Sequence, residues 1–136
     1  MAERENPSIL SHVSIGVRDV DKSAAFYDVV LATIGARRVM EHPGAVAYGR
    51  GFPEFWVQLP IDGRPAAVAN GSHFSFTAGS KAQVDAFYDA ALQAGGADDG
   101  PPGARPQYAS AYYACFVRDP DGHKIEAMFW DADAAL

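Results

Sequence analysis

Apolar and polar residues alternate along Ile9–Val17. Ile9, Ser11, Val13, Ile15 and Val17 fall on one side, and Leu10, His12, Ser14 and Gly16 on the other. A period of two describes a strand with one greasy face and one small, polar face. The period then lengthens. Asp19 or Asp21 offers a helix cap, and Tyr27, Val30, Leu31 and Ile34 make one stripe that ends at Gly35. Short strands are expected near Arg37–Glu41, Ala45–Tyr48 and Phe55–Leu59, broken by His42-Pro43-Gly44 and Gly51-Phe52-Pro53.

The same order then returns. His73–Ala78 alternates, with Phe74, Phe76 and Ala78 opposed to His73, Ser75 and Thr77. Ser80 with Gln83 three residues on reads as a capping box. Val84, Phe87, Tyr88, Ala91 and Leu92 follow at i, i+3, i+4, i+7 and i+8, and Gly95-Gly96 closes the helix. After the loop Gly100-Pro101-Pro102-Gly103, strands are expected over Tyr112–Val117 and Lys124–Trp130, joined by the turn Asp119-Pro120-Asp121-Gly122.

The two halves are copies. Shifted by 61 positions, His12–Ala36 falls on His73–Ala97 without a gap. Nine of the 25 pairs are identical, including His12/His73, Ser14/Ser75, Phe26/Phe87 and Tyr27/Tyr88; about two would be expected by chance at average residue usage. Each copy reads β-α-β-β-β, an α+β fold with the helix on the greasy side of its sheet. Residues 1–8 are expected to be a flexible tail and 9–130 one domain. Its modules span about 9–60 and 72–130, and 131–136 form a second tail.

Composition narrows the function. A chain of 136 residues that is 49% hydrophobic can bury a core as one domain. A net charge of −6 with scattered basic residues argues against nucleic acid. No apolar run suits a membrane span or a secretory signal. Cys115 is the single cysteine, expected to be a buried, inert thiol, and a cytoplasmic setting fits. The partner implied is a small-molecule substrate.

The candidate chemistry lies on the polar strand faces. The final hairpins superpose without a gap at an offset of 68, which sets Arg50 on Arg118, Val57 on Ile125 and Gln58 on Glu126. His12, His73, Gln58 and Glu126 then form two related pairs able to converge between the sheets. Imidazole, carboxylate and amide oxygen suit Zn, Fe, Ni or Mn. Trp56 shares a strand face with Gln58 and is a candidate cavity wall. Arg105 with Tyr108, Tyr112 and Tyr113 is a candidate clamp for an anionic or aromatic substrate. His42 and His123 adjoin turns and are expected to face solvent.

Three segments carry a family resemblance: Ser11–Asp19 with Phe26-Tyr27, Ser72–Phe76, and Asp119-Pro120-Asp121-Gly122-His123-Lys124-Ile125-Glu126. With them the chain resembles the vicinal oxygen chelate superfamily of glyoxalases, extradiol dioxygenases, fosfomycin-resistance enzymes and bleomycin-resistance proteins. The resemblance implies paired βαβββ modules forming a U-shaped sheet cleft, and a homodimer whose cleft draws on both chains. It implies a divalent metal held by His12, His73 and Glu126, with Gln58 where glyoxalases often carry glutamate. Glu126 is also the candidate base. The activity implied is of the lyase, isomerase or dioxygenase kind on a small oxygenated substrate. Two rivals are a metal-free binder that sequesters a small molecule and an interaction domain with a vestigial cleft.

Overall fold

In the computed structural model residues 7–134 are described, so most of the expected N-terminal tail and the last two residues lie outside the described residues. The first module runs β1 (Val13–Gly16), α1 (Val20–Ala32), β2 (Arg37–His42), β3 (Ala45–Gly49), β4 (Phe55–Gln58). Its sheet has the order β1-β4-β3-β2, with β1 and β4 parallel. The second runs β5 (His73–Thr77), α2 (Lys81–Gln93), β6 (Ala97–Asp98), β7 (Gly103–Ala104), β8 (Tyr112–Arg118), β9 (Lys124–Trp130). Here the order is β5-β9-β8-β6, and β7 also pairs with β8. The strands β6 and β7 together take the place of β2, interrupted where Pro101 and Pro102 supply no amide donors.

Local chemistry explains the helix starts. Asp19, of the two candidates, is the α1 cap: its carboxylate accepts the Lys22 amide at 3.1 Å. Ser80 Oγ accepts the Gln83 amide at 3.1 Å. The Gln83 side chain reaches back to the amide of Gly79, one residue earlier than a capping box requires, at 2.7 Å. The strand expected over Ile9–Val17 pairs only from Val13 onward; Ile9 and Leu10 project into solvent at 98% and 64% exposure.

Both helices lie on the inner, apolar sides of the sheets and pack against each other. One core results: Phe26, Tyr27, Val30 and Leu31 of α1 join Val84, Phe87 and Ala91 of α2, with Ile15, Val57, Val117 and Ile125 from the sheets. Phe55 bridges the modules, its ring 5.1 Å from that of Tyr27 and 5.1 Å from that of Phe76. Burying each such large side chain stabilises the fold by about 1.5–3 kcal/mol. Cys115 is in this core, its Sγ directed at Val84 O, and burial pushes its thiol up to about 11. The opposite faces of both sheets, which carry His12 and His73, are left open.

One register differs from the ungapped superposition. Val13 pairs with Phe55, so Ser14 stands level with Trp56; His73 pairs with Lys124, so Ser75 stands level with Glu126. Since Ser14 and Ser75 are repeat partners, the first-module counterpart of Glu126 is Trp56. Gln58 is level with Gly16 and so matches Met128. The ungapped superposition is short by two residues: it sets the offset at 68, whereas the ladders match Trp56 to Glu126 at an offset of 70, and most of the extra length lies between α2 and β8. A slip of two keeps every side chain on its face, which is why it left the alternation intact.

Candidate functional site

The second sheet gathers most of the candidate residues on its open face. Glu126 sits mid-strand in β9 and is 2% exposed, although it faces away from the core. His73 opens β5 beside it, and His73 Nε2 lies 3.1 Å from Glu126 Oε1. The Tyr112 hydroxyl donates to Glu126 Oε2. Burial and this bond push the Tyr112 phenol up to about 12. The carboxylate therefore has a partner on each oxygen, as a buried charge requires. Lys124, on the same strand face, does not pair with Glu126; it reaches Asp99 at 3.6 Å.

His12 stands elsewhere, on the residue before β1 and exposed, with its Nδ1 2.9 Å from Ser11 Oγ. It borders a seam cavity of about 640 Å³ that also touches His73, Glu54 and Phe74. Among the described residues, no three His, Cys, Asp or Glu side chains come close enough to hold one ion. Within one chain the pair His73–Glu126 forms and His12 stays apart. The physical reason is the packing. The helices meet between the sheets, and β1 and β5 remain edge strands, each paired on one side only.

Trp56 and Gln58 occupy the open face of the first sheet, half-buried, and Trp56 stacks flat against exposed His42 at 5.9 Å. Tyr108 packs edge-on against Tyr112 at 5.3 Å. Tyr113 is directed away from this face, to Asp85 at 2.7 Å. His123 does not face solvent: it is buried, with Nε2 2.7 Å from Gly16 O. Arg38 forms ion pairs with Asp28 and Glu41.

Sequence reading misses one residue of the open face, Phe116, and weighs Lys124 only as an ion-pair partner of Glu126. Phe116 is the ladder partner of Glu126, and Lys124 lies over its ring at 5.0 Å. Folding Tyr112–Trp130 about the Asp119–Gly122 turn would have placed both beside Glu126.

The donor set can be tested for a cation. Two ligands each about 2.1 Å from one ion, at an angle near 90–100°, stand about 3 Å apart; the 3.1 Å between His73 Nε2 and Glu126 Oε1 fits that spacing. The remaining Glu126 oxygen is oriented by Tyr112, the outer-shell support that metal carboxylates receive.

The paired modules and their open faces define a glyoxalase-type scaffold, and the chain belongs to the glyoxalase/bleomycin resistance protein/dioxygenase superfamily, whose pattern it matches over residues 9–127. It is 30% identical over 118 residues to the metallothiol transferase FosB of Shouchella clausii (strain KSM-K16), across 86% of this chain and 77% of that one. A glyoxalase/bleomycin resistance protein of Albidiferax ferrireducens T118 superposes with a TM-score of 0.82 at 38% identity, covering 90% and 98% of the two chains. Lactoylglutathione lyase of Agrobacterium tumefaciens shares the fold, with a TM-score of 0.64 at 23% identity over 92% and 95%. Among the described residues no helix is long and apolar enough to cross a membrane.

Proposed function

We propose that this protein is a divalent-metal-dependent enzyme acting on a small oxygenated substrate, with each site shared between two copies of the chain. The observation that carries the reading is the His73–Glu126 pair, 3.1 Å apart on an open sheet face with Glu126 nearly sealed from water. A carboxylate that faces outward from the core, is almost sealed from water and is held by a histidine and a phenol sits in the kind of environment where functional carboxylates cluster.

The chain supplies two donors at this place and His12 just before β1, at the edge of the other sheet. Joining the first sheet of one copy to the second sheet of its neighbour would bring His12 to His73 and Glu126, a set of two histidines and one carboxylate suited to Zn, Fe, Ni or Mn. Trp56, in the position matching Glu126, would then wall the cleft in place of a fourth ligand, and Gln58 would lie one step further along it. When bound, such an ion supplies Lewis acidity for vicinal substrate oxygens. Tyr112 holds Glu126 in orientation, and Tyr108 extends the aromatic wall.

Metal analysis of protein purified without chelators tests this. About one equivalent of divalent metal per chain is expected, reduced severely in His12→Ala, His73→Ala and Glu126→Ala. Full metal content in all three variants would refute the assignment. The rival reading, a metal-free small-molecule binder, draws on one observation: Glu126 is already satisfied by His73 and Tyr112 within the chain. Metal-free protein that binds its ligand unchanged would favour that rival.

A further inference from the structure

We propose that Arg105, Phe116 and Lys124 form an oxyanion subsite beside Glu126, taking a carboxylate or phosphorus-oxyanion group of the substrate. The proposal rests on the reading of this sheet face as the substrate wall, and adds the chemical class of the molecule bound there.

The loop between β6 and β7 is shaped around one side chain. Arg105 Nη2 donates to Pro101 O at 2.6 Å and Nη1 to Ala104 O at 3.3 Å. A Cβ on Gly103 would stand 3.2 Å from Nη1. A Cβ on Gly100 would stand 3.4 Å from Nη2 and 3.1 Å from the Phe116 ring, at a φ of +147° that side chains rarely adopt. Both glycines thus clear space for the guanidinium, while the prolines stiffen the backbone that holds it. The result is a guanidinium laid over Phe116, with Cζ 5.6 Å from the ring centre.

This arginine is fixed but not neutralised. Its recorded hydrogen bonds go to carbonyl oxygens, and among the described residues no carboxylate lies within ion-pairing distance of it. Lys124 lies over the same ring at 5.0 Å. Asp99 is shared by Lys124 at 3.6 Å and Arg118 at 3.0 Å. Arg118 and Lys124 thus share Asp99, whereas Arg105 has no carboxylate partner among the described residues. Guanidinium carries five N–H donors, so Arg105 retains donors for a planar two-point contact with an oxyanion. Phe116 pairs across the ladder with Glu126, which sets the subsite next to the candidate metal ligands.

The test is a titration of the uniformly 15N-labelled full chain, passed over a chelating resin so that no cation mediates binding. Inorganic phosphate and acetate are the probes, with sodium chloride matched for ionic strength. Saturable shifts of the Arg105 Nε–H and the Gly100 and Gly103 amides are expected with at least one probe; which one separates phosphorus oxyanions from carboxylates. Arg105→Gln should weaken that binding by about tenfold or more, Arg105→Lys by less, and Arg37→Gln not at all. Equal binding by Arg105→Gln, or unsaturable shifts spread over surface cations, overturns the proposal. Loss of the subsite with metal binding intact leaves the functional reading standing; a working subsite in a chain that takes no metal sinks only that reading.

Discussion

The Tyr27 hydroxyl donates to Asp119 Oδ2 at 2.7 Å, joining the first helix to the last turn, 92 residues away. Both groups are buried. The other oxygen, Asp119 Oδ1, accepts the amides of Asp121, Gly122 and His123 at 2.9–3.0 Å. Around this centre His123 reaches Gly16 O, and Arg18 meets Asp121 at 3.5 Å. The turn that opens β9, and so places Glu126, is fastened to the opposite module. Removing the carboxylate leaves the Asp121 and His123 amides and a phenol without their acceptor, while the Gly122 amide keeps Asp119 O at 2.8 Å. Asp119→Ala should therefore cost about 3 kcal/mol, and Tyr27→Phe about 1–2 kcal/mol. Urea unfolding measures both; an Asp119→Ala chain as stable as the parent would show that the turn stands without this anchor.

Much of this architecture was readable because repetition and alternation are local properties. The gapless match of His12–Ala36 to His73–Ala97 gave the modules, and the strands and helices follow it closely. Where the reading slipped, the cause was a long-range quantity. An ungapped match sets Gln58 against Glu126 because it is blind to the pairing across strands. Ladder register, fixed by the parallel pairing with β1 and β5, puts Trp56 there instead. His123 looked like a turn residue facing solvent; only the docking of that turn on Gly16 buries it. Alternation likewise placed His12 and His73 on polar faces but could not tell whether the two modules join by their edges or by their helices.

Acid should weaken the fold through Asp28. The Arg38 guanidinium, bonded to Asp28 at 2.7 Å through both Nε and Nη2, holds its carboxyl below the usual 3.8, with help from the Tyr48 hydroxyl. A carboxyl depressed in the folded state contributes stability that is present above the unfolded value and is lost as pH falls through the folded one. The Asp28 side chain is 39% exposed, so solvent screens the effect and it is small. Asp28→Asn should lower stability slightly at neutral pH and flatten the loss below about pH 4. Thermal unfolding at stepped pH is the measurement, and an unchanged acid limb would show that other carboxylates govern it.

Tyr112→Phe separates support from ligation. Its hydroxyl bonds a Glu126 oxygen without being a candidate ligand itself. Removing an outer-shell partner of a metal carboxylate weakens metal affinity by about 10–100-fold. We expect Tyr112→Phe to retain the metal stoichiometry of the parent with a dissociation constant raised by about tenfold or more. Competition against a chromophoric chelator reads this directly. A constant identical to the parent's would leave Tyr112 a packing residue, even if the variant were less active.

The proposed sharing of sites between copies predicts recovery from two defective parents. His12→Ala leaves the second sheet intact, and Glu126→Ala leaves the first sheet intact. Neither homodimer can assemble the full donor set. Unfolded together and refolded in equal amounts, the two chains should form mixed dimers for about half of the population, by random pairing of a twofold assembly. In each mixed dimer one site takes His12 from the Glu126→Ala chain, with His73 and Glu126 from the other, while the second site has lost both. Metal content should therefore rise from near zero to about a quarter of the parental level. A site closed within each chain recovers nothing on mixing, because both copies still carry their own defect. That difference distinguishes the two geometries even before a substrate is in hand.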